Sequence, residues 1–422
     1  MKNVKMKWLA AVNAAIMVCL LQSAGFAEEL DAGQTESPEI KERLTGFLLR
    51  GDVSGEVSGY QSDRNGFDDP NQLIKVRNSS GQIVEEAIGK YVDGLVVQVE
   101  WKHLQDSANG EIQHYSEGNV IDKAIAAVNA WNASNENQLG LKIRVFSGVY
   151  SPKWLTQHVH NGKLTLRNCE NGSNATNDEV CGLKVYFKND KIGILPSYWK
   201  PAFRTAWEDF QSKLAAEYNG ISVVREIAVS GCMTHHAETM WRNKGDYNRP
   251  DGRHNIEVMM DVGLTVAKDK ECLGWQIEVA AEKWPNTYIG MAYNMWNNYS
   301  IDDGQLVWTP GKKFTDELMQ KCIDEAGTFC VLGNNSLGVS DIGDEESQGD
   351  VTYYLKSYGD VGHNIYVQTE TAIDSQYDAL NHAADELNAT MAELPTIKAM
   401  NNFDETFLSG SQMQGARNNL KF

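Results

Sequence analysis

Gly94-Leu-Val-Val-Gln-Val-Glu-Trp101 is the stretch that decides the fold class. It is an apolar run rich in β-branched residues, which is typical of a buried strand. A doubly wound sheet that binds a nucleotide would continue into a glycine-rich phosphate turn. Lys102 and His103 follow this run instead, so the sequence favours another arrangement of strands and helices.

Similar apolar runs recur along the chain and alternate with amphipathic segments, which indicates β–α units and a parallel sheet. The other predicted strands are Leu141–Phe146, Leu183–Phe187, Ile221–Val229, Tyr288–Tyr293, Phe329–Leu332, Asn364–Gln368 and Thr396–Met400. The predicted helices include Val120–Trp131, Ala202–Tyr218, Leu273–Lys283, Thr315–Ala326 and Ala379–Leu394. About eight strands over roughly 320 residues predict a (β/α)8 TIM barrel, which takes about 250 residues plus insertions.

Residues 1–27 have the pattern of a cleavable secretory leader. Three lysines precede an apolar run, and Gly25 and Ala27 occupy the −3 and −1 positions of a cleavage site. A transmembrane anchor is disfavoured because the apolar run is short and contains Asn13. A lipoprotein leader is disfavoured because apolar residues continue beyond Cys19. We therefore expect a secreted or periplasmic protein with no membrane span once the leader is removed.

The remaining chain divides by composition. Residues 28–85 are polar and weakly periodic, and we interpret them as an N-terminal arm or linker. Residues 86–422 would then form the catalytic barrel and a C-terminal tail. Loss of the leader removes three lysines and no acidic residue, which changes the formal charge from −19 to −22. Such an acidic chain repels nucleic acid and anionic membranes, and favours neutral or cationic substrates over polyanions.

The cysteines indicate disulfides. Six remain in the mature chain, and an even number in an exported protein favours pairing. Six cysteines allow 15 connectivities. Short loops favour Cys169 with Cys181 and Cys322 with Cys330, and Cys232 and Cys272 would then remain for each other. No CxxC spacing points to a zinc or redox site.

Active sites of (β/α)8 barrels lie at the carboxyl ends of the strands, and this rule selects the candidate residues. Glu100, Trp101 and His103 follow the first predicted strand. Later strand ends supply further polar and aromatic candidates, which are Arg144, Trp154, His235, His236, Glu238, Trp241, Asn294, Trp296, Gln368 and Glu370.

The order of these residues resembles a known family. It is similar to the retaining glycoside hydrolases of the (β/α)8-barrel clan, the β-galactosidase and cellulase superfamily. The resemblance rests on a first strand that ends in Trp101 and a second that continues into Gly148 and Pro152-Lys153-Trp154-Leu155. It covers about residues 91–403.

The resemblance implies two catalytic glutamates. Glu238 matches the acid/base after strand 4, and Glu370 matches the nucleophile that ends strand 7. The chain departs from the clan pattern at two places. Glu238 follows Ala237 several residues into its loop, where the clan has Asn-Glu at the strand end, and 401–403 lack the usual strand-8 tryptophan.

Retaining hydrolysis explains why two carboxyl groups are needed. One attacks the anomeric carbon and the other protonates the leaving oxygen, and they stand about 5–5.5 Å apart. We expect Arg144 to hold Glu370 ionised, and His235 and His236 to orient Glu238. The remaining candidates would bind sugar by aromatic contact or hydrogen bonds, namely Trp101, Trp154, Trp241, Trp296, Asn294 and Gln368. No cofactor is expected.

Two alternatives remain open. A metal-dependent hydrolase could use His235, His236 and Glu238, with His254 as a further ligand, although no HExxH spacing is present. A non-catalytic carbohydrate-binding barrel is also compatible with the sequence because Glu238 is displaced from the strand end.

Overall fold

The computed structural model describes residues 40–51, 65–187, 192–235, 237, 249–337, 351–369, 376–402 and 410–420. The predicted leader, residues 1–27, lies outside these ranges. The chain divides into two units, Met1–Ile40 and Lys41–Phe422, and every element described below belongs to the second unit. None of the helices described is both long and apolar enough to cross a membrane.

Eight parallel strands close into a barrel in chain order. They are β1 Gly46–Arg50, β2 Gly94–Glu100, β3 Gly140–Phe146, β4 Val224–Ala228, β5 Tyr288–Ala292, β6 Cys330–Leu337, β7 Asn364–Thr369 and β8 Met391–Leu394. The barrel closes because β1 pairs with both β8 and β2. The predicted (β/α)8 barrel is therefore confirmed.

The first and last barrel strands differ from the predictions. The segment Gly46–Arg50 lies within the region interpreted as an arm, yet it forms β1 and is almost wholly buried. The last predicted strand, Thr396–Met400, is wrong, since most of it lies in the helix Ile397–Asn402. The eighth strand is Met391–Leu394, which the prediction had assigned to the end of a helix. The local sequence around β1 is mainly polar and that around β8 has a helical pattern, so only long-range pairing identifies them as strands.

One predicted strand lies outside the barrel. The segment Leu183–Phe187 largely coincides with Gly182–Tyr186, which pairs antiparallel with Ile192–Pro196. This pair, together with the adjoining Phe187, is called the covering hairpin below. The other antiparallel hairpins are Leu73–Arg77 with Ile83–Ala87, Gln157–His160 with Lys163–Leu166, and Asn297–Asp302 with Gln305–Pro310.

The described helices are α1 Trp101–Leu104, α2 Val120–Ser134, α3 Lys153–Thr156, α4 Gly172–Thr176, α5 Pro201–Tyr218, α6 Asn255–Asp261, α7 Val266–Lys283, α8 Lys312–Ala326, α9 Val351–Asp360, α10 Gln376–Asp385, α11 Ile397–Asn402 and α12 Gly410–Asn419. The sequence at the beginning of helix α2 forms a capping box. The side chain of Asn119 accepts from the backbone N–H of Asp122, and the Asp122 carboxylate accepts from that of Asn119. This capping box satisfies N–H groups that the first turn leaves unpaired.

The buried apolar residues form an outer and an inner layer. The outer layer packs the helices onto the barrel, and Val97 and Val99 contribute to it from β2. The inner layer fills the lumen and includes Leu48, Val96 and Tyr366. Alternate residues of a strand point to opposite faces, so both layers draw on the same strands.

Two glycines make room for large side chains in the lumen. A Cβ on Gly333 of β6 would lie 1.9 Å from the ring of Tyr366, and one on Gly290 of β5 would lie 2.2 Å from Glu226 Oε1. Neither distance is compatible with a side chain at the glycine. The lumen therefore depends on pairing a glycine with a bulky neighbour on the next or preceding strand.

Three disulfide bonds cross-link the chain. Cys169 is bonded to Cys181, Cys232 to Cys272, and Cys322 to Cys330, the same pairs that loop length favoured. The bond between Cys232 and Cys272 joins the segment after β4 to α7. It therefore anchors one of the loops at the carboxyl ends of the strands.

Candidate active site

A cavity of about 370 Å³ opens at the carboxyl ends of β2 and β3. Glu100 ends β2, and Lys102 follows it directly. Tyr150 follows β3, and the covering hairpin forms the opposite wall. This is the face of the barrel on which the fold places its active sites, and the volume falls in the range of about 300–1,000 Å³ of small-molecule sites.

Glu100 is the only carboxylate among the described residues that line this cavity. Its side chain is 1% exposed, and one of its oxygens, Oε2, forms an ion pair with Lys102 Nζ. The same oxygen lies 3.4 Å from His103 Nε2. An isolated buried carboxylate is costly, so the adjacent lysine and histidine explain how this one is tolerated.

An aromatic group forms the back of the cavity. The ring of His235 stacks on Tyr150, with 5.6 Å between centroids, and lies 4.8 Å from Phe187 of the covering hairpin. The hydroxyl of Tyr150 is 3.1 Å from His235 Nδ1. His235 is itself buried, so it holds the two rings that line the cavity rather than lining it.

Four charged side chains lie deeper, in the lumen, and are called the lumen network below. Lys142 of β3 forms ion pairs with Glu226 of β4, at 2.6 Å, and Glu393 of β8, at 3.0 Å. Both oxygens of Glu393 accept hydrogen bonds from Arg144 Nη2, at 2.6 and 2.7 Å. All four side chains are at most 3% exposed. The network therefore links three barrel strands through charge-assisted contacts.

The lumen network separates the pKa values of its two carboxyl groups. Burial alone would raise the pKa of Glu393, but the charges of Arg144 and Lys142 outweigh it and lower that pKa to about 2. Burial raises the pKa of Glu226, and Lys142 offsets only part of the effect. Glu393 is thus held ionised, and Glu226 takes up a proton more readily than an exposed glutamate.

Four sequence candidates lie outside the described residues. They are the two predicted catalytic glutamates, Glu238 and Glu370, together with His236 and Trp241. The strands that precede the two glutamates are described. Strand β7, Asn364–Thr369, ends directly before position 370, and β4 ends at Ala228, ten residues before position 238.

Two of the tryptophans that were expected to stack on a sugar lie in the core. Trp101 is fully buried and packs edge-on against Trp154, with 5.9 Å between ring centroids. Trp296 is 1% exposed and donates from Nε1 to Asp269. Stacking on a sugar needs an exposed ring face, so the prediction is wrong for Trp101 and Trp296. Trp154 is partly exposed, and a role in binding remains a prediction for it.

The other described candidates hydrogen-bond within the barrel. Arg144 donates to Gln368 Oε1 at 3.3 Å in addition to Glu393, and Gln368 Nε2 donates to the carbonyl of Asn335. Asn294, which follows β5, accepts from Asn334 Nδ2 at 3.3 Å. Among the described residues, Arg144 makes its shortest contacts with Glu393, which the sequence reasoning did not single out. The expected role of Arg144 beside Glu370 stays a prediction.

Sequence reasoning also missed Lys142 and Glu226. A usable signal was present, since each is a charged residue within a segment of strong strand character. A charge that alternates with apolar residues usually marks a solvated face of a strand. Here both faces of each strand are buried, and the charges meet each other in the lumen.

Two of the ligands suggested for the metal alternative, His236 and Glu238, lie outside the described residues. Among the residues that are described, no group of three or more His, Cys, Asp or Glu side chains could hold a metal ion. His254, one of the suggested ligands, precedes α6, where its backbone N–H donates to the carboxylate of Glu257 at 2.5 Å.

Comparison with known proteins yields only remote structural likenesses. No family model matches the chain, and no curated sequence matches it either. A GH10 protein from Paenibacillus barcinonensis is 10% identical with a TM-score of 0.39, and covers 84% of each chain. A β-mannanase from the blue mussel Mytilus edulis is 9% identical with a TM-score of 0.39, covering 79% of this chain and 81% of its own.

An enzyme of another class is similar to about the same degree. A D-allulose 3-epimerase from Methylomonas sp. is 8% identical with a TM-score of 0.35, and covers 90% of this chain and 98% of its own. Likenesses this remote do not assign an activity. The fold and the site define a (β/α)8-barrel protein with a carboxylate-containing cavity at the carboxyl ends of its strands.

Proposed function

We propose that this protein is an exported glycoside hydrolase that cleaves a poly- or oligosaccharide with retention of configuration. The observation that carries the proposal is the cavity at the carboxyl ends of β2 and β3, in which the buried carboxylate of Glu100 faces aromatic and hydroxyl-bearing side chains. Apolar rings pack against the faces of a sugar, and polar groups bind its hydroxyls.

Glu370 is the proposed nucleophile. Tyr366 contacts the inner layer and Gln368 contacts Arg144, so alternate residues of β7 point into the lumen. Position 370 directly follows the last residue of β7, where the resemblance implies the nucleophile. Glu238, in the segment after β4, is the proposed acid/base.

Substitution of the nucleophile is the direct test. Glu370→Gln should abolish release of reducing ends from a susceptible polysaccharide and leave glycan binding intact. Glu85→Gln is the matched control because Glu85 is an exposed glutamate on an outer hairpin. The anomer first released by the wild type, followed by NMR, should have the configuration of the substrate. Activity that persists in Glu370→Gln, or an inverted product, would refute the mechanism.

A non-catalytic carbohydrate-binding barrel is the second candidate. The observation that favours it is the end of β4, where Ala228 is followed by Val229, Ser230 and Gly231 rather than a carboxylate. A wild-type protein that binds glycans but releases no reducing ends from plant, algal or bacterial polysaccharides would favour this candidate over the enzyme.

A further inference from the structure

The cavity differs in charge from the chain that surrounds it. The chain as a whole has a formal charge of −19, yet the charged residues among the described ones that line the cavity are two lysines and one glutamate. Glu100 and Lys102 form an ion pair and cancel each other. Lys153, the first residue of α3, forms no ion pair with the described residues and contributes the remaining positive charge.

The walls around Lys153 have two distinct characters. The covering hairpin presents apolar side chains, including those of Phe187 and Ile194. The opposite wall presents Thr156 and Gln157, whose hydroxyl and amide groups can bind sugar hydroxyls. A sugar ring has an apolar face and polar edges, so the arrangement suits a sugar with an anionic substituent near Lys153.

We propose that this cavity binds a sugar residue that bears a carboxylate, and that the Lys153 ammonium recognises it. The inference rests on the proposed function and names its substrate class. The acidic surface does not oppose such binding, because charges beyond about 8–10 Å are screened at physiological salt. The binding of a carboxylate in contact with Lys153 depends mainly on the nearby ammonium charge. Charge-assisted hydrogen bonds of this kind are stronger than neutral ones.

Matched ligands provide the test. Methyl glycosides of glucuronic, galacturonic and mannuronic acid are compared with those of glucose, galactose and mannose, which differ only in having a neutral hydroxymethyl group. Binding is measured by titration calorimetry for the wild type, Lys153→Gln and Lys163→Gln. Lys163 is the control because it is an exposed lysine that does not line the cavity.

The expected result is that at least one acid binds the wild type about tenfold more tightly than its neutral partner, a size typical of one hydrogen bond to a charged group. Lys153→Gln should reduce the ratio to less than about twofold, and Lys163→Gln should leave it unchanged. Equal binding of each pair, no binding, or a preference that survives in Lys153→Gln would overturn the inference.

This test is separate from the test of hydrolysis because it measures binding alone. A Lys153-dependent preference without cleavage of any polysaccharide would support the subsite and refute the proposed enzyme. Cleavage of neutral glycans without a preference for acids would support the enzyme and refute the subsite.

Discussion

Replacing Lys142 by methionine should destabilise the barrel by up to about 3 kcal/mol at pH 7. Lys142 is fully buried and forms ion pairs with Glu226 and Glu393. Glu393 keeps both hydrogen bonds from Arg144 in the variant. Apart from Lys142, neither oxygen of Glu226 has a polar partner among the described residues, so the variant leaves Glu226 without an ion-pair partner there.

The magnitude follows from the pKa of that carboxyl group. Without Lys142, Glu226 must be protonated in the folded state, whereas it is ionised in the unfolded chain with a pKa of about 4.5. Each pKa unit corresponds to about 1.36 kcal/mol, so protonation at pH 7 costs about 3 kcal/mol. This is the upper limit of the loss, because burial already raises the pKa of Glu226 in the wild type. That agrees with the roughly 3–5 kcal/mol found when one member of a buried ion pair is removed.

Urea unfolding followed by tryptophan fluorescence at pH 7 and pH 5, with the disulfides intact, measures this loss. The folded-state pKa of Glu226 is raised, so its contribution favours folding at low pH and is lost as pH rises. Most of the loss should therefore disappear at pH 5. The double variant Lys142→Met/Glu226→Gln should recover much of the stability at pH 7. A loss below about 1 kcal/mol, or one that does not change with pH, would refute the reasoning.

Three further predictions concern stability. Gly333→Ala should lower stability by about 1–3 kcal/mol or prevent folding, because the new methyl group would overlap Tyr366; thermal unfolding with Gly415→Ala as an open-space control measures it. Arg417→Met should cost about 3–5 kcal/mol, because Arg417 donates two hydrogen bonds, at 2.6 and 2.7 Å, to a buried aspartate; an unchanged urea midpoint would contradict this. Glu393, with its pKa lowered to about 2, should contribute about 3 kcal/mol above pH 4.5 that is lost as pH falls towards 2. A Glu393→Gln variant should lack that slope, and equal slopes would be evidence against it.

The sequence predicts the strands in the middle of the barrel's chain order. The predicted strands of Gly94–Trp101 and Leu141–Phe146 overlap β2 and β3, and the period of Val120–Trp131 predicted α2. These segments are long and carry a strong local pattern. Gly46–Arg50 lies in a mainly polar region, and Met391–Leu394 follows the apolar pattern of a predicted helix. Only pairing with the neighbouring strands identifies them as strands.

The candidate site could be predicted only in outline. The rule that strand ends carry chemistry selected Glu100 and His235, and the structure places both at the cavity or directly behind it. The same rule selected Trp101 and Trp296, which are buried. A residue's position along a strand is a local property, whereas its exposure depends on the helices and hairpins that pack over it.

The sequence by itself determined the fold class, the leader prediction and the cysteine pairs that loop length favours, since each depends on composition or on spacing along the chain. Only the tertiary structure brought Lys142, Arg144, Glu226 and Glu393 into contact, and only it placed Lys153 in a cavity covered by a hairpin. The reason is physical. Charge interactions and burial depend on distances in space between segments far apart in the chain, which local patterns do not specify.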